Sequence, residues 1–595
     1  MASLGSSQPT TPTASKGRMS FSSSSTYSSS LSFRSSQVPI ARIPKHRHAV
    51  SCKTLDDQHH QENTGKFDRR NVLLGLGGLY GATTTFGSNS LAFADPIMAP
   101  DLTQCGPADL PQGAVPTNCC PPSTTKIIDF KLPPPSENFR VRPAAHLVNK
   151  DYITKFEKAI ELMKALPDDD PRSFKQQANV HCAYCDGAYD QVGYPDLELQ
   201  IHYSWLFFPF HRCYLYFFEK ICGKLINDPN FAIPFWNWDA PDGMKIPDIY
   251  TDMKSPLYDT LRDAKHQPPS LIDLDFNGSD NDLIPSKQIS TNLSVMYRQM
   301  VSSAKTASLF MGSPYRAGDD PAPGAGSLEN VPHNTVHIWT GDRNQPNGED
   351  MGNFYSAARD PIFYAHHGNI DRLWSVWKTL GGGRKDFSDK DWLDSSFVFY
   401  DENAELVRIK VNDCLHSSNL GYFYQDVEIP WLNSKPEPRQ KRALSKIKKQ
   451  AVARADEHIP FAKDVFPASL DKVIKVLVPS PKKARSKKQK EEEEEILVIE
   501  GIELTRDEFV KFDVFVNDED DGTRATADNT EFAGSFVNVP HKHQHGKKVK
   551  TGLRLGISEL LKDLGAEDDD NVLVTLVPKI GAEISIGGIK IEYED

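Results

Sequence analysis

A mainly helical core followed by an all-β sandwich is the architecture the sequence predicts. Apolar residues recur every three or four positions through much of the first half, and beyond about residue 470 the period changes to two. A charged, weakly apolar stretch separates the two regimes. At 595 residues the chain exceeds one ordinary domain and has room for two folded units plus tails.

Residues 1–66 are rich in Ser and Thr, poor in acids until Asp56, and dotted with Arg34, Arg42 and Lys45. That composition predicts a plastid transit peptide. Residues 67–94 add Arg69-Arg70, a short apolar stretch from Val72 to about Tyr80, and Ala92-Phe93-Ala94. A basic region, an apolar region and an A-x-A site in that order read as a second, secretory-type signal. Two signals in tandem predict import into a plastid and transfer to the thylakoid lumen, with cleavage after Ala94. The arginine pair points to a twin-arginine route.

Residues 95–431 form the predicted core. Its start, to about Phe139, is proline-rich and irregular. Ile153, Phe156, Ile160, Met163 and Leu166 then mark a helix over Tyr152–Leu166, and Leu197–Ile226 and Pro361–Lys378 also read as helical. Residues 432–464 are the predicted linker, whose stretch 434–457 is charged, exposed and open to a protease. Residues 465–595 are the predicted sandwich. VIKVLV (473–478), ILVIEG (496–501), KFDVFV (511–516), NVLVTLV (571–577) and ISIGGIKIEY (584–593) alternate or run β-branched. The run 482–495, KKARSKKQKEEEEE, reads as a solvated hairpin tip between two of them.

The formal charge of −12, with no basic face interleaved with aromatics, argues against nucleic acid as a partner. No run of eighteen apolar residues marks an integral membrane segment. Of nine cysteines, Cys105, Cys119, Cys120 and Cys182 lie in or beside the irregular segment, which suits a disulfide staple and an oxidising compartment. Cys213, Cys222 and Cys414 read as buried thiols, and Cys52 falls in the segment expected to be removed.

Seven histidines concentrate in two stretches, 181–239 and 329–377, and six of them divide into two sets of three. All-imidazole sets suit copper, zinc, iron or nickel. His333 and His337, four apart, stack on one helix face and can grip one ion. His366 and His367 are adjacent, about 100° apart around a helix, so at most one joins them. Asp371, four residues after His367, is positioned to orient it, which favours His367. His181, His202 and His211 make the other set. The nine-residue step from His202 to His211 demands a break in the helix, and Pro209 is the predicted breaker. Neither set includes a clustered carboxylate base, which argues against a zinc hydrolase of the HExxH type. HKHQH, 541–545, reads as a solvated polar face and is assigned no site.

HCAYC (181–185), FPFHRCYLYFFEK (208–220), FAIPFWNWD (231–239), VPHNTVHIW (331–339) and DPIFYAHHGNIDRLW (360–374) resemble the copper-binding regions of plant polyphenol oxidases, the tyrosinase and catechol oxidase group. The likeness runs through DWLDSSF (391–397) and KFDVFV to the C-terminus. It implies a four-helix bundle around a type-3 dicopper centre. His181, His202 and His211 would hold one copper, and His333, His337 and His367 the other. Cys185 matches a cysteine joined by a thioether to His202. Cys105–Cys120 and Cys119–Cys182 match two disulfides, and the adjacency of Cys119 and Cys120 favours different partners for each. Phe354 matches an aromatic gate over one copper, with Ile338 at the same entrance. Glu329 and Asn334 match a pair that holds a water for deprotonating a monophenol.

The activity the resemblance implies is oxidation of o-diphenols to o-quinones by dioxygen, with o-hydroxylation of monophenols. The C-terminal region would shield the entrance, making the uncut chain a zymogen that an activating protease opens. Phenolic small molecules are the implied substrates. The rival expectations are a haemocyanin-like dioxygen carrier and a narrow flavonoid-type synthase.

Overall fold

The computed structural model describes residues 95–134, 139–436, 459–481, 485–518, 526–541, 548–581 and 583–594. The two targeting signals lie outside the described residues, as does most of the linker.

Helices build the core, with small strands at its margin. The helix α1, Lys150–Ala165, is capped by the Asn149 side chain and buries Phe156, Ile160 and Met163, matching the predicted period. It is followed by α2, Phe174–Cys185, whose N-cap is Ser173. The segment read as helical over Leu197–Ile226, with a break at Pro209, is three things. Residues 190–198 make a short hairpin, 199–206 an irregular loop, and α3 begins only at Phe207 and runs to Leu225. Pro209 therefore breaks nothing. It sits in the first turn of α3, where a missing N–H costs no intrahelical bond. The break precedes it, at residues 201–206, where Tyr203 adopts a positive φ of 58°.

Further on come α4, Pro285–Tyr297, then α5, Asn334–Thr340, and α6, Ile362–Trp377. Every residue of α6 but Ser375 and Val376 is buried. A three-stranded sheet formed by 127–129, 396–400 and 406–410 flanks the core.

The C-terminal region holds two antiparallel sheets. In one, β4 (Phe532–Asn538), β3 (Val510–Val516), β6 (Asn571–Ile580) and β1 (Ile474–Pro479) lie side by side in that order. In the other, β2 (Glu494–Thr505) pairs with β5 (Lys548–Gly556) and with β7 (Gly588–Glu594), and short strands at 585–586 and 468–469 extend it. The sheets meet closely: a Cβ on Gly534 of β4 would stand 2.7 Å from Leu555 Cδ2 of β5. Four predicted strands are present as single strands, the fifth, over 584–593, splits at Gly587 into two, and β4 and β5 are additional.

The charged run 482–495 is not a hairpin tip. Its flanking strands belong to different sheets, residues 487–492 form a short helix opened by a Ser486–Gln489 capping box, and Glu494 and Glu495 lie buried in β2. Glu494 pairs with Lys305 of the core at 2.9 Å, and Glu495 pairs with Arg485.

Candidate metal centre

The first set is assembled from α2, the loop before α3, and α3 itself. His181, His202 and His211 have ring centroids 5.1, 5.8 and 5.3 Å apart, and all are buried. The second set comes from the turn into α5, α5 and α6. His333, His337 and His367 have centroids 4.7, 5.0 and 5.4 Å apart. The sets face each other: His211 stacks on His367 at 4.1 Å with ring planes 10° apart.

Hydrogen bonds fix the tautomers of four rings. The Nδ1–H of His181 donates to the Phe354 carbonyl (2.8 Å), that of His211 to Phe207 (2.8 Å) and that of His337 to Met351 (2.8 Å). His333 Nδ1 is shared between the Glu329 carbonyl (3.2 Å) and Asn334 Oδ1 (3.0 Å). A proton held on Nδ1 leaves the lone pair on Nε2. The Nε2 atoms of His181, His202, His211 and His333 have no hydrogen-bond partner among the described residues. Burial pushes His181 down to about 4 and His337 down to about 3, and holds the other rings well below the ordinary value. The rings are neutral at physiological pH, the state a metal requires.

His366 also lies among the second set, 5.3 Å from His333 and 5.0 Å from His337 between centroids. Its Nδ1 accepts the indole N–H of Trp238 at 3.1 Å. An indole only donates, so the His366 proton sits on Nε2 and that nitrogen has no lone pair to give. His367 is free of this constraint and its Nε2 lies 3.3 Å from His337 Nε2.

Asp371 does not orient His367. Its carboxylate is spent on Arg142 (3.2 Å), Arg212 (2.5 Å), Tyr422 (2.5 Å) and Tyr424 (2.5 Å), behind the site. Two cations outweigh its burial and hold its pKa low.

Cys185 is buried at the end of α2, with its thiol pushed up by burial and by the neighbouring Asp186. Gln200 ties it to His202: the amide Nε2 donates to the Cys185 carbonyl (3.0 Å), and Oε1 accepts from the His202 N–H (2.9 Å). Neither ring nitrogen of His202 has a partner among the described residues. Cys105 is bonded to Cys120 and Cys119 to Cys182, which staples the irregular segment to α2.

Phe354 stacks on His202 at 4.0 Å with planes 18° apart, so it forms a wall of the first set. Ile338 is the half-buried residue of an otherwise buried α5. Glu329 is fully buried; its Oε1 accepts the Tyr203 N–H (2.6 Å), and burial raises its carboxyl well above the usual range.

The C-terminal region lies directly over these residues. Asn330 exchanges bonds with β4 through Ser535 O (2.6 Å) and Val537 N (2.8 Å), and Asn334 Nδ2 donates to Val537 O (3.1 Å). Pro540 O accepts from the Phe354 N–H at 3.4 Å. His541 is 1 % exposed, and its ring lies 5.2 Å from Phe354 and 5.7 Å from Tyr203. The reading of HKHQH as a solvated face is therefore overturned at His541; the rest of that motif lies outside the described residues. Trp238, Gln200, Tyr203 and Asn330 escaped the sequence reading because no periodicity or spacing marks them; each acts through a partner distant in sequence or through a backbone group.

Three family models match: the common central domain of tyrosinase over residues 171–380, the polyphenol oxidase middle domain over 386–437, and the chloroplastic polyphenol oxidase C-terminal domain over 466–593. The chain is 63 % identical to a chloroplastic polyphenol oxidase of Malus domestica over 95 % of its own length and 96 % of the relative's. It is 59 % identical to aureusidin synthase of Antirrhinum majus, covering 85 % and 92 % of the two chains. The structure of latent apple tyrosinase superposes with a TM-score of 0.75 at 64 % identity, covering 79 % of this chain and all of that one.

Proposed function

The chain belongs to the plant polyphenol oxidase family, and from that premise we propose how its own residues carry out the family's reaction. It is a plastid copper oxidoreductase that oxidises o-diphenols to o-quinones. Each dioxygen reduced to water takes the electrons and protons of two diphenols.

Copper, when bound, supplies dioxygen binding and the paired electron transfer. His181, His202 and His211 would hold one ion, and His333, His337 and His367 the other. The observation that carries this is the two facing sets of buried, neutral imidazoles, four of them with the Nδ1 proton held by an oxygen acceptor, which aims those lone pairs inward. The backbone carbonyls of Phe354, Phe207 and Met351 hold the rings still. A thioether between Cys185 and His202 would restrain the one ligand whose nitrogens have no partner among the described residues. The Phe354 ring receives the flat face of the phenol, and Ile338 borders the entrance. Glu329, kept neutral by burial in the covered chain, and Asn334 are the pair that would hold a water for deprotonating a monophenol once the cover is gone.

The domain limits proposed are 95–431 for the catalytic region, 432–464 for the protease-sensitive linker and 465–595 for the shielding region. The helices carrying the histidines, α2, α3, α5 and α6, would be the four of the bundle, and the thylakoid lumen the compartment. Latency follows from β4 and residues 539–541 occupying the approach to Phe354. The test is oxygen uptake with a monophenol and its o-diphenol, before and after limited proteolysis, with copper assayed on the same sample. Two coppers per chain and diphenol oxidation that rises on cleavage are expected; equal activity of cut and uncut protein would overturn the latency. The 59 % identity to aureusidin synthase favours a second reading, a narrow flavonoid-type synthase. A substrate panel that finds turnover confined to chalcone-like phenols would establish it.

A further inference from the structure

Tyr203 follows His202 directly, and its backbone N–H is committed to Glu329 Oε1. Its hydroxyl serves the C-terminal region instead. It donates to Asn538 Oδ1 at 3.3 Å and accepts from the Val539 N–H at 3.1 Å. Its ring lies 6.4 Å from His202 and 6.5 Å from Phe354, within the same wall that receives His541. The side chain is 3 % exposed.

Asn538 and Val539 belong to the segment that must leave before a phenol can enter. With Asn538 and Val539 gone, the hydroxyl keeps the core side chain of Asn334 beside it and faces the space the cover vacates, where water or a substrate group takes the two places. What it loses is specific: a carboxamide oxygen and a peptide N–H, one acceptor and one donor, presented beside the ring of His541.

We propose that Tyr203 is a specificity-determining residue of the opened enzyme. Its hydroxyl takes a neutral ring substituent that both donates and accepts, a side-chain hydroxyl or amide, in the place Asn538 and Val539 occupy in the uncut chain. The inference rests on the proposed function, since it requires the covering segment to give way to a phenol. The favoured class is phenols with a short hydroxylated or amide-bearing side chain, over bare or alkyl-substituted rings.

The test uses the full-length, copper-loaded protein before and after limited proteolysis, with catechol, its methyl derivative and its hydroxyethyl derivative. In the cut protein, Tyr203→Phe raises KM for the hydroxyethyl compound about five- to tenfold more than it changes KM for the other two substrates, the loss of one hydrogen bond. In the uncut protein the same variant speeds hydrogen exchange at the Val539 amide, a readout independent of turnover. A loss shared equally by all three substrates, or no change with any, overturns the inference. The wild-type cut protein tests it without a variant: equal KM for the methyl and hydroxyethyl compounds also overturns it. Failure of the cut wild type to oxidise any of the three would overturn the functional reading, and this inference with it.

Discussion

Two adjacent histidines, His366 and His367, differ in one hydrogen bond, and that bond decides which can hold a metal. Trp238 donates to His366 Nδ1, which places the His366 proton on the inward nitrogen. His367→Gln is therefore expected to lose one copper per chain, whereas His366→Gln keeps two. The second variant loses only the Trp238 partner, about 1–3 kcal/mol of stability. Copper analysis of both proteins checks this, and equal losses would sink the assignment. Sequence spacing reached the pair but not the choice, and its argument from Asp371 failed because that carboxylate serves two arginines and two tyrosines instead. Asn334 poses a related question. Its Nδ2 is engaged by Val537 O in the covered chain, so it becomes available only once β4 moves away. Asn334→Gly should cost at least about tenfold in monophenol hydroxylation while sparing diphenol oxidation, measured on the cut enzyme.

Helices α3 and α6 contribute one histidine each to opposite sets, and their spacing sets the distance between His211 and His367. Asp371 on α6 and Arg212 on α3 tie the two together, each one turn or one residue from its histidine. Arg142 joins the same carboxylate and Glu219 of α3 (2.8 Å). Removing one partner of a buried charge group leaves the others uncompensated. Asp371→Asn should lower stability by about 3–5 kcal/mol, read as a fall in Tm of the copper-free protein. Pro209→Ala should do little, under about 1 kcal/mol with both coppers retained, because the proline is only in the first turn of α3. A loss of copper there would mean the proline does shape the His202 loop. The helices were legible where apolar residues repeat, as in α1 and α6. The His202 loop was not, since its path depends on Gln200 caps and the Glu329–Tyr203 bond, neither of which has a period. Strand β4 was missed for a different reason: FAGSFVN is buried along its whole length, so it shows no alternation. Strand β5 does alternate, burying Val549, Thr551, Leu553 and Leu555, and that signal was there to be read.

At the scale of the molecule, latency depends on how the C-terminal region grips the core while still being removable. The rim is polar and exposed: Lys287 with Asp528, and Lys435 with Glu559 (2.9 Å) and Asp563 (2.8 Å). Such pairs contribute little each and weaken with salt. Deeper lie Lys305 with Glu494, Arg506 with Glu198, and Lys511 of β3, which is fully buried. Its ammonium donates to the Asp275 carbonyl at 2.7 Å and to its carboxylate at 2.9 Å, and lies 3.4 Å from Asp513. Lys511→Met leaves Asp275 without its cation in the docked interface, while Asp513 keeps Lys579 at 3.2 Å. The penalty exists only while the two regions are docked, since undocking returns Asp275 to water. Lys511→Met should therefore loosen the cover without touching the copper site. Oxygen uptake by the uncut variant is expected to rise at least about tenfold over the uncut wild type, with the chain shown intact by mass spectrometry. After cleavage the two proteins should be indistinguishable, because residue 511 has left with the cover. An uncut variant as silent as the wild type would place the grip elsewhere, in the bonds that Asn330, Asn334 and Tyr203 make to the segment from Ser535 to Val539.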